Sequence, residues 1–251
     1  MERIFENKVA IITGGASGIG KSAAIAFARR GAKVVLADMQ DGKETLELVK
    51  EEGGEGIFVH CDVSQDADVK AMVEKTIQTY GRLDFGVNNA GIEGIQIPFH
   101  QLSEKDWDRT ININLKGIWL CMKYETPHLL KQNKGAIVNT ASIAGVVAFA
   151  NMAAYVASKH GVIGLTKVAA MELAKTGVRV NALCPGVIRT PMVDRALGGD
   201  VAVENAYNQM IPVGRMGTPE EMADSIVYLC SDASSYVTGH AMVADGGWVV
   251  Q

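Results

Sequence analysis

Val9-Ala10-Ile11-Ile12-Thr13-Gly14-Gly15-Ala16-Ser17-Gly18-Ile19-Gly20-Lys21-Ser22 is the stretch on which the fold turns. Val9 to Thr13 is a short apolar, β-branched run ending in glycines, which reads as a strand buried on both faces. Alanine-rich helical material follows through Ala23 to Arg30, and Gly31 closes it. Glycines between a strand and a helix let the backbone approach a ligand, and the helix N-terminus offers free N–H groups to a phosphate. Two motifs overlap on this loop. Gly18-Ile19-Gly20-Lys21-Ser22-Ala23 fits the dinucleotide-binding G-x-G-x-x-A, while Gly15 to Ser22 fits the G-x-x-x-x-G-K-[ST] of nucleotide hydrolases and kinases. A tight turn with no ligand is the third possibility.

Working outward, Lys33 to Ala37 is a second buried strand, and Asp38 ends it. A dinucleotide site wants a carboxylate there for the adenosine ribose hydroxyls. A P-loop enzyme wants an aspartate closing an apolar strand to hold magnesium; Asp84 opens its strand instead, but Asp62 closes one, so both motifs stay open at this point. The expected elements continue as a helix over about 41–52, a strand over Gly56 to Cys61, a helix over Ser64 to Tyr80, and a strand over Leu83 to Val87 that runs into Asn88-Asn89-Ala90-Gly91. One long helix begins at Ser103, whose hydroxyl caps it, and runs through Ile111, Leu115 and Trp119 towards Leu130. Next come a strand over Gly135 to Thr140, a helix over Met152 to Lys175, and a strand over Val178 to Leu183 broken by Cys184-Pro185-Gly186. Val187 to Met216 reads as a long, mobile excursion around Gly198-Gly199. Thr218-Pro219-Glu220-Glu221 starts another helix, and Ala241 to Ala244 is a last strand. This alternation predicts one α/β domain over residues 1–251, a Rossmann-type doubly wound parallel sheet of about seven strands flanked by helices.

Hydrophobic residues make up 48% and charged ones 21%, and the net charge is −4, so nothing suggests a nucleic-acid-binding surface. Four scattered cysteines without C-x-x-C, and five histidines without a H-x-x-x-H pair, form neither a disulfide framework nor a zinc pattern. A cytoplasmic, reducing location is expected. The start lacks the apolar core of a signal peptide, and no apolar run approaches the roughly 20 residues of a membrane span.

Tyr155-Val156-Ala157-Ser158-Lys159 carries the second signal. Residues four apart share a helix face, here a phenol and an ammonium. A fixed cation lowers a tyrosine pKa from its usual value of about 10, which would let the pair move a proton near neutral pH. The bland alternative is an amphipathic helix whose Tyr155 packs and whose Lys159 is solvated.

Thr13, Gly14, Gly18 and Gly20, Asn88 to Gly91, Asn114, Ser142, Tyr155-x-x-x-Lys159 and Pro185-Gly186, in this order and at this chain length, resemble the short-chain dehydrogenase/reductase family in its NAD-preferring branch. The resemblance implies an NAD-dependent oxidoreductase that interconverts a secondary alcohol and its ketone by hydride transfer, without a metal. It implies Tyr155 as general acid/base and Ser142 as the group holding the substrate oxygen. Lys159 would lower the Tyr155 pKa and bind the nicotinamide ribose, and Asn114 would hold a water linking Lys159 to solvent. Gly14, Ser17, Gly18, Ile19 and Gly20 would line the pyrophosphate, with Asp62 and Val63 beside the adenine. Asn89, Ala90 and Gly91 would line the cleft, and Pro185, Gly186, Ile188 and Thr190 would meet the nicotinamide. Asp38, followed by Met39 with only Lys43 nearby as a cation, favours NAD over NADP because a carboxylate repels a 2′-phosphate. The resemblance further implies a homotetramer paired through the two long helices.

The expected substrate loops, Ile92 to His100, Ile143 to Met152 and Val187 to Met210, are mostly apolar, with Glu93, Gln96 and Asn151 the polar exceptions. They suit a cyclic or hydrophobic alcohol, with residues 187–216 as a lid. The alternative is a catalytically silent NAD(H)-binding regulator of the same fold.

Overall fold

All of β1 (Val9–Thr13) is buried, and alternate residues enter opposite cores. Val9 and Ile11 pack with Val35, Met72, Leu83 and Ile137, whereas Ala10 and Ile12 pack with Phe27, Leu36, Leu183 and Leu229. A strand covered on both faces has this period of two. In this computed structural model, which describes residues 2–250, β1 lies at the centre of a parallel sheet. Met1 and Gln251, the ends of the expected domain, lie outside the described residues.

The other strands are β2 (Lys33–Asp38), β3 (Glu55–His60), β4 (Phe85–Asn88), β5 (Gly135–Thr140), β6 (Val178–Pro185) and β7 (Ala241–Ala244). Their spatial order is β3-β2-β1-β4-β5-β6-β7, all parallel. The helices are α1 (Gly18–Arg29), α2 (Lys43–Glu51), α3 (Asp66–Tyr80), α4 (Glu104–Ile111), α5 (Gly117–Gln132), α6 (Ala153–Leu173), α7 (Pro191–Leu197), α8 (Val201–Met210) and α9 (Pro219–Cys230). α1, α2 and α9 cover one face of the sheet, and α3, α5 and α6 the other. The strand order reverses between β1 and β4, so their carboxyl ends open a crevice where ligands of doubly wound sheets bind.

The expected single helix from Ser103 is a continuous run with a flaw in it. α4 and α5 join through a π-helical turn, Asn112–Lys116, which includes the fully buried Asn114. β6 runs on to Pro185 because β7 pairs with it, Cys184 opposite Val243 and Pro185 opposite Ala244. The expected loose excursion after Val187 folds into α7 and α8. Thr190 caps α7 by accepting from Val193 N at 3.4 Å with Pro191 in its first turn, Gly198 ends it at φ 61°, and Asp200 caps α8 by accepting from Ala202 N at 2.8 Å. Leu197, Ile211 and Met216 form a small core beneath these helices, with Val193, Tyr207 and Trp248 packed against it.

The four cysteines are free and buried. Among the described residues, no helix is long and apolar enough to cross a membrane, and no group of three His, Cys, Asp or Glu could hold a metal.

Candidate active site

Thr13 ties the two sides of the crevice together. Its hydroxyl oxygen accepts from Asn89 N at 2.9 Å and Ala90 N at 3.1 Å. Asn89 Nδ2 donates to Thr13 O at 3.1 Å, and its Oδ1 accepts from Thr140 at 3.3 Å. The glycine loop then folds tightly onto itself. A Cβ on Gly20 would lie 2.0 Å from Gly14 O, so no other residue fits there. Ser17, at the start of α1, makes no capping side-chain bond, and the first turn holds no acidic residue, whereas α4, α7, α8 and α9 are capped by their own side chains. Such an end has N–H groups to offer an anion.

Asp38 reaches this loop: Oδ2 accepts from Ala16 N at 3.0 Å and Oδ1 from Gln40 N at 2.9 Å, while Met39 is exposed. Asp62 lies two residues past the end of β3, its Oδ1 accepting from Ser64 N at 2.9 Å, and Val63 is buried against Gly117. Gly186 N donates to Ala244 O at 3.0 Å. Ile188 turns its side chain into the core beside α1 and α9, and its backbone bridges to Gly217. Thr190, besides capping α7, lies against Gly18 at the start of α1.

The P-loop motif does not assemble. Lys21 pairs with Glu44 and Ser22 donates to Glu220 at 2.9 Å, which engages both in contacts with neighbouring helices instead of in a phosphate cradle. Asp84 lies at the amino end of β4, held by Lys8 at 3.2 Å and Arg82 at 2.6 Å, across the sheet from the crevice.

Ser142 follows β5 and accepts from Ala144 N at 3.1 Å, which fixes the short turn Ile143–Gly145. The Tyr155 phenol, on the first turn of α6, is near enough to this hydroxyl for Ser142 to pull its pKa down. One turn on, Lys159 is buried; its Nζ lies 5.6 Å from the Tyr155 ring centroid and donates to Thr140 O at 2.8 Å. Asn114 Oδ1 accepts from Ile92 N at 2.8 Å, and its Nδ2 donates to Ile92 O at 2.8 Å and to Ser158 Oγ at 3.2 Å. The π turn therefore clamps the loop after β4 onto the helix that carries Tyr155. π turns concentrate at functional sites.

Residues 14–249 match the family model described as enoyl-(acyl carrier protein) reductase. The chain belongs to the short-chain dehydrogenase/reductase family. It is 43% identical to a 2,5-dichloro-2,5-cyclohexadiene-1,4-diol dehydrogenase of Sphingobium indicum, over 96% of each chain. It is 41% identical to a cyclohexanol dehydrogenase of Acinetobacter sp., over 99% of this chain and 97% of that one. It is also 45% identical to the 3-oxoacyl-[acyl-carrier-protein] reductase FabG of Thermotoga maritima, over 98% and 99%. Among solved structures it resembles levodione reductase, with a TM-score of 0.95, 36% identity, and 98% and 99% of the two chains covered. It also resembles a candidate 2-deoxy-d-gluconate 3-dehydrogenase from Agrobacterium tumefaciens with bound NADP, with a TM-score of 0.90, 35% identity and 99% of each chain covered.

In this short-chain dehydrogenase/reductase the electrostatics of the site depart from one expectation. The Tyr155 pKa lies above its ordinary value, not below it: burial pushes it up, the Ser142 hydroxyl pulls it down, and the Glu93 carboxylate pushes it up again. Burial also brings Lys159 down to about 8. Desolvation is the largest influence on both groups. Sequence reasoning also missed the tying role of Thr13 and the Glu93 charge. The former was visible as the threonine of the T-G motif; the latter carries no sequence signal of its proximity to Tyr155.

Proposed function

We propose that this chain is an NAD-dependent dehydrogenase that interconverts a ring-borne secondary alcohol and its ketone. The observation that carries this is the grouping of half-buried Ser142 and Tyr155 with the buried Lys159, whose Nζ holds Thr140 O, at the crevice. A lysine buried with a backbone carbonyl and, among the described residues, no carboxylate against it is costly, and a turnover-free regulator gains nothing from it.

The crevice suits a nicotinamide dinucleotide. The uncapped start of α1, the Gly14–Gly20 contact that only glycine allows, and the Asp38 carboxylate at the loop match pyrophosphate and ribose diol in turn. When bound, that cofactor accepts or supplies the hydride. Everything else falls to the protein. In the oxidative direction Ser142 donates a hydrogen bond to the substrate oxygen and Tyr155, as phenolate, takes the hydroxyl proton. The carbon–hydrogen pair leaves as hydride, and the C=O bond forms. In reduction Tyr155 returns the proton. Lys159, with its pKa near 8, is mostly protonated at neutral pH and stabilises the phenolate. Asn114 positions α6 through Ser158. Asp38 favours NAD over the NADP carried by the Agrobacterium neighbour. A ring substrate is supported by the names of the Sphingobium and Acinetobacter relatives and by an apolar rim in which Phe149 packs on Trp248, ring centroids 6.3 Å apart. The α7–α8 segment is the lid over it.

NADH formation from NAD and cyclohexanol at mildly alkaline pH tests the proposal. Tyr155→Phe should lower kcat by roughly 10²- to 10⁴-fold, the ordinary contribution of a general base. A variant that keeps the wild-type rate, or a wild type active on sugars or 3-oxoacyl thioesters and silent on ring alcohols, contradicts it.

A further inference from the structure

The loop after β4 carries one carboxylate beside the active site: two residues before Glu93, a Cβ on Gly91 would stand 3.6 Å from Lys159 Nζ and 3.2 Å from Asn114 Oδ1. Glu93 stands between two fixed residues. Ile92 gives both its backbone N–H and its C=O to Asn114, at 2.8 Å each. Gly94 has φ 79°, and a Cβ on it would meet Thr110 Oγ1 at 2.8 Å, so the backbone is fixed there as well. Glu93 is half-buried. Its Oε1 accepts from Gln96 Nε2, and its other oxygen has no hydrogen-bond partner among the described residues. Its neighbours Ile92, Ile95 and Ile97 are apolar, and the loop is joined to the opposite rim by Ile97 N donating to Asn151 O at 2.9 Å. The Tyr155 phenol feels the Glu93 charge. A half-buried carboxylate oxygen without a protein donor gains a hydrogen bond from a donor that a bound substrate brings to it. The Ser142–Tyr155 pair takes the reacting hydroxyl of an alcohol, and a second hydroxyl on the same ring is the donor that a neighbouring carboxylate accepts from.

We propose that Glu93 is a substrate-recognition group whose carboxylate accepts a hydrogen bond from a second hydroxyl of the alcohol, so that the enzyme favours ring diols over ring mono-alcohols. This rests on the alcohol dehydrogenase activity proposed above. Glu93 takes no part in the hydride or proton transfer; it selects and orients the ring.

The test compares kcat/KM for cyclohexanol and for cyclohexane-1,2-, 1,3- and 1,4-diols in wild type, Glu93→Gln and Glu93→Ala, with Tyr155→Phe as control. Wild type should favour at least one diol by roughly tenfold or more, the worth of a hydrogen bond to a charged group. Both Glu93 variants should bring that ratio close to one while keeping cyclohexanol turnover. With a negative charge removed from beside the phenol, the acid limb of the cyclohexanol pH profile should move to lower pH in Glu93→Gln, which lost packing alone would not do. Three results overturn the assignment: no diol preference in wild type, a preference that survives in Glu93→Ala, or equal losses on diol and mono-alcohol with an unmoved pH limb. These outcomes are separate from failure of the activity itself, which shows as absent alcohol turnover or as turnover indifferent to Tyr155→Phe, and which removes both proposals.

Discussion

Lys159 and Asp38 are charged residues that the fold handles in opposite ways. Lys159 is buried with Thr140 O as its hydrogen-bond acceptor, and desolvation pulls it down to about 8. Asp38 remains half-buried at the sheet edge of the crevice, each oxygen accepting one backbone N–H. A carboxylate so fixed keeps lone pairs for a ribose diol and repels a phosphate ester. Asp38→Ala should therefore narrow the ratio of kcat/KM for NAD over NADP, mainly by raising KM for NAD, and steady-state kinetics with both cofactors checks it. An unchanged ratio places the discrimination elsewhere. Ser142, Tyr155 and Lys159 could be singled out in the sequence only through the resemblance of the whole motif series to one family, since Y-x-x-x-K by itself also fits an ordinary amphipathic helix. The direction of the Tyr155 shift was not legible, since desolvation depends on which side chains the folded chain stacks over the phenol, and spacing along one helix carries none of that.

Among the elements, the sheet and its covering helices were legible from apolar periodicity, but α7 and α8 were not. Thr190-Pro191 is the same cap-plus-proline start as Thr218-Pro219, yet it opens a helix of seven residues, too short to show a repeat. The π turn at Asn112–Lys116 escaped notice for a related reason: one extra residue in a turn leaves the apolar pattern of the long helix nearly intact. α7 and α8 are joined to the rest by the small Leu197–Ile211–Met216 core, and an Arg189–Glu204 ion pair ties α8 to the segment just before α7. Few buried contacts make a segment easy to open. As the proposed lid, it should be cleaved first in limited proteolysis of the free enzyme and be protected when NADH and a ketone are added. Cleavage unaffected by those ligands contradicts closure.

Across the whole molecule, one buried group couples the sheet to solution pH. Glu125 on α5 is fully buried; Oε2 accepts from Asn88 Nδ2 at 3.2 Å, and Oε1 has no hydrogen-bond partner among the described residues. Burial raises its pKa to about 7, against a weaker opposing pull from Asn88. The folded state thus favours the protonated carboxyl. Its contribution to stability is complete below the unfolded pKa near 4.5 and is lost as pH rises through about 7. That loss amounts to about 3 kcal/mol. Glu125→Gln, similar in shape but unable to ionise, should match wild type near pH 5 and exceed it in Tm at pH 8, as thermal unfolding at both values reveals. Parallel pH dependences in the two proteins would show that Glu125 does not hold its proton more tightly in the folded state.

The central claim is that the crevice between β1 and β4 passes hydride between an alcohol carbon and a nicotinamide while Tyr155 moves the proton. Deuterium transfer tests this most directly: cyclohexanol deuterated at the carbinol carbon is incubated with NAD, and the NADH formed is analysed by mass. Wild type should yield NADH carrying the deuterium, and Tyr155→Phe should yield almost none in the same time. Unlabelled NADH, no NADH from any ring alcohol, or labelled NADH formed equally well by Tyr155→Phe would contradict the account.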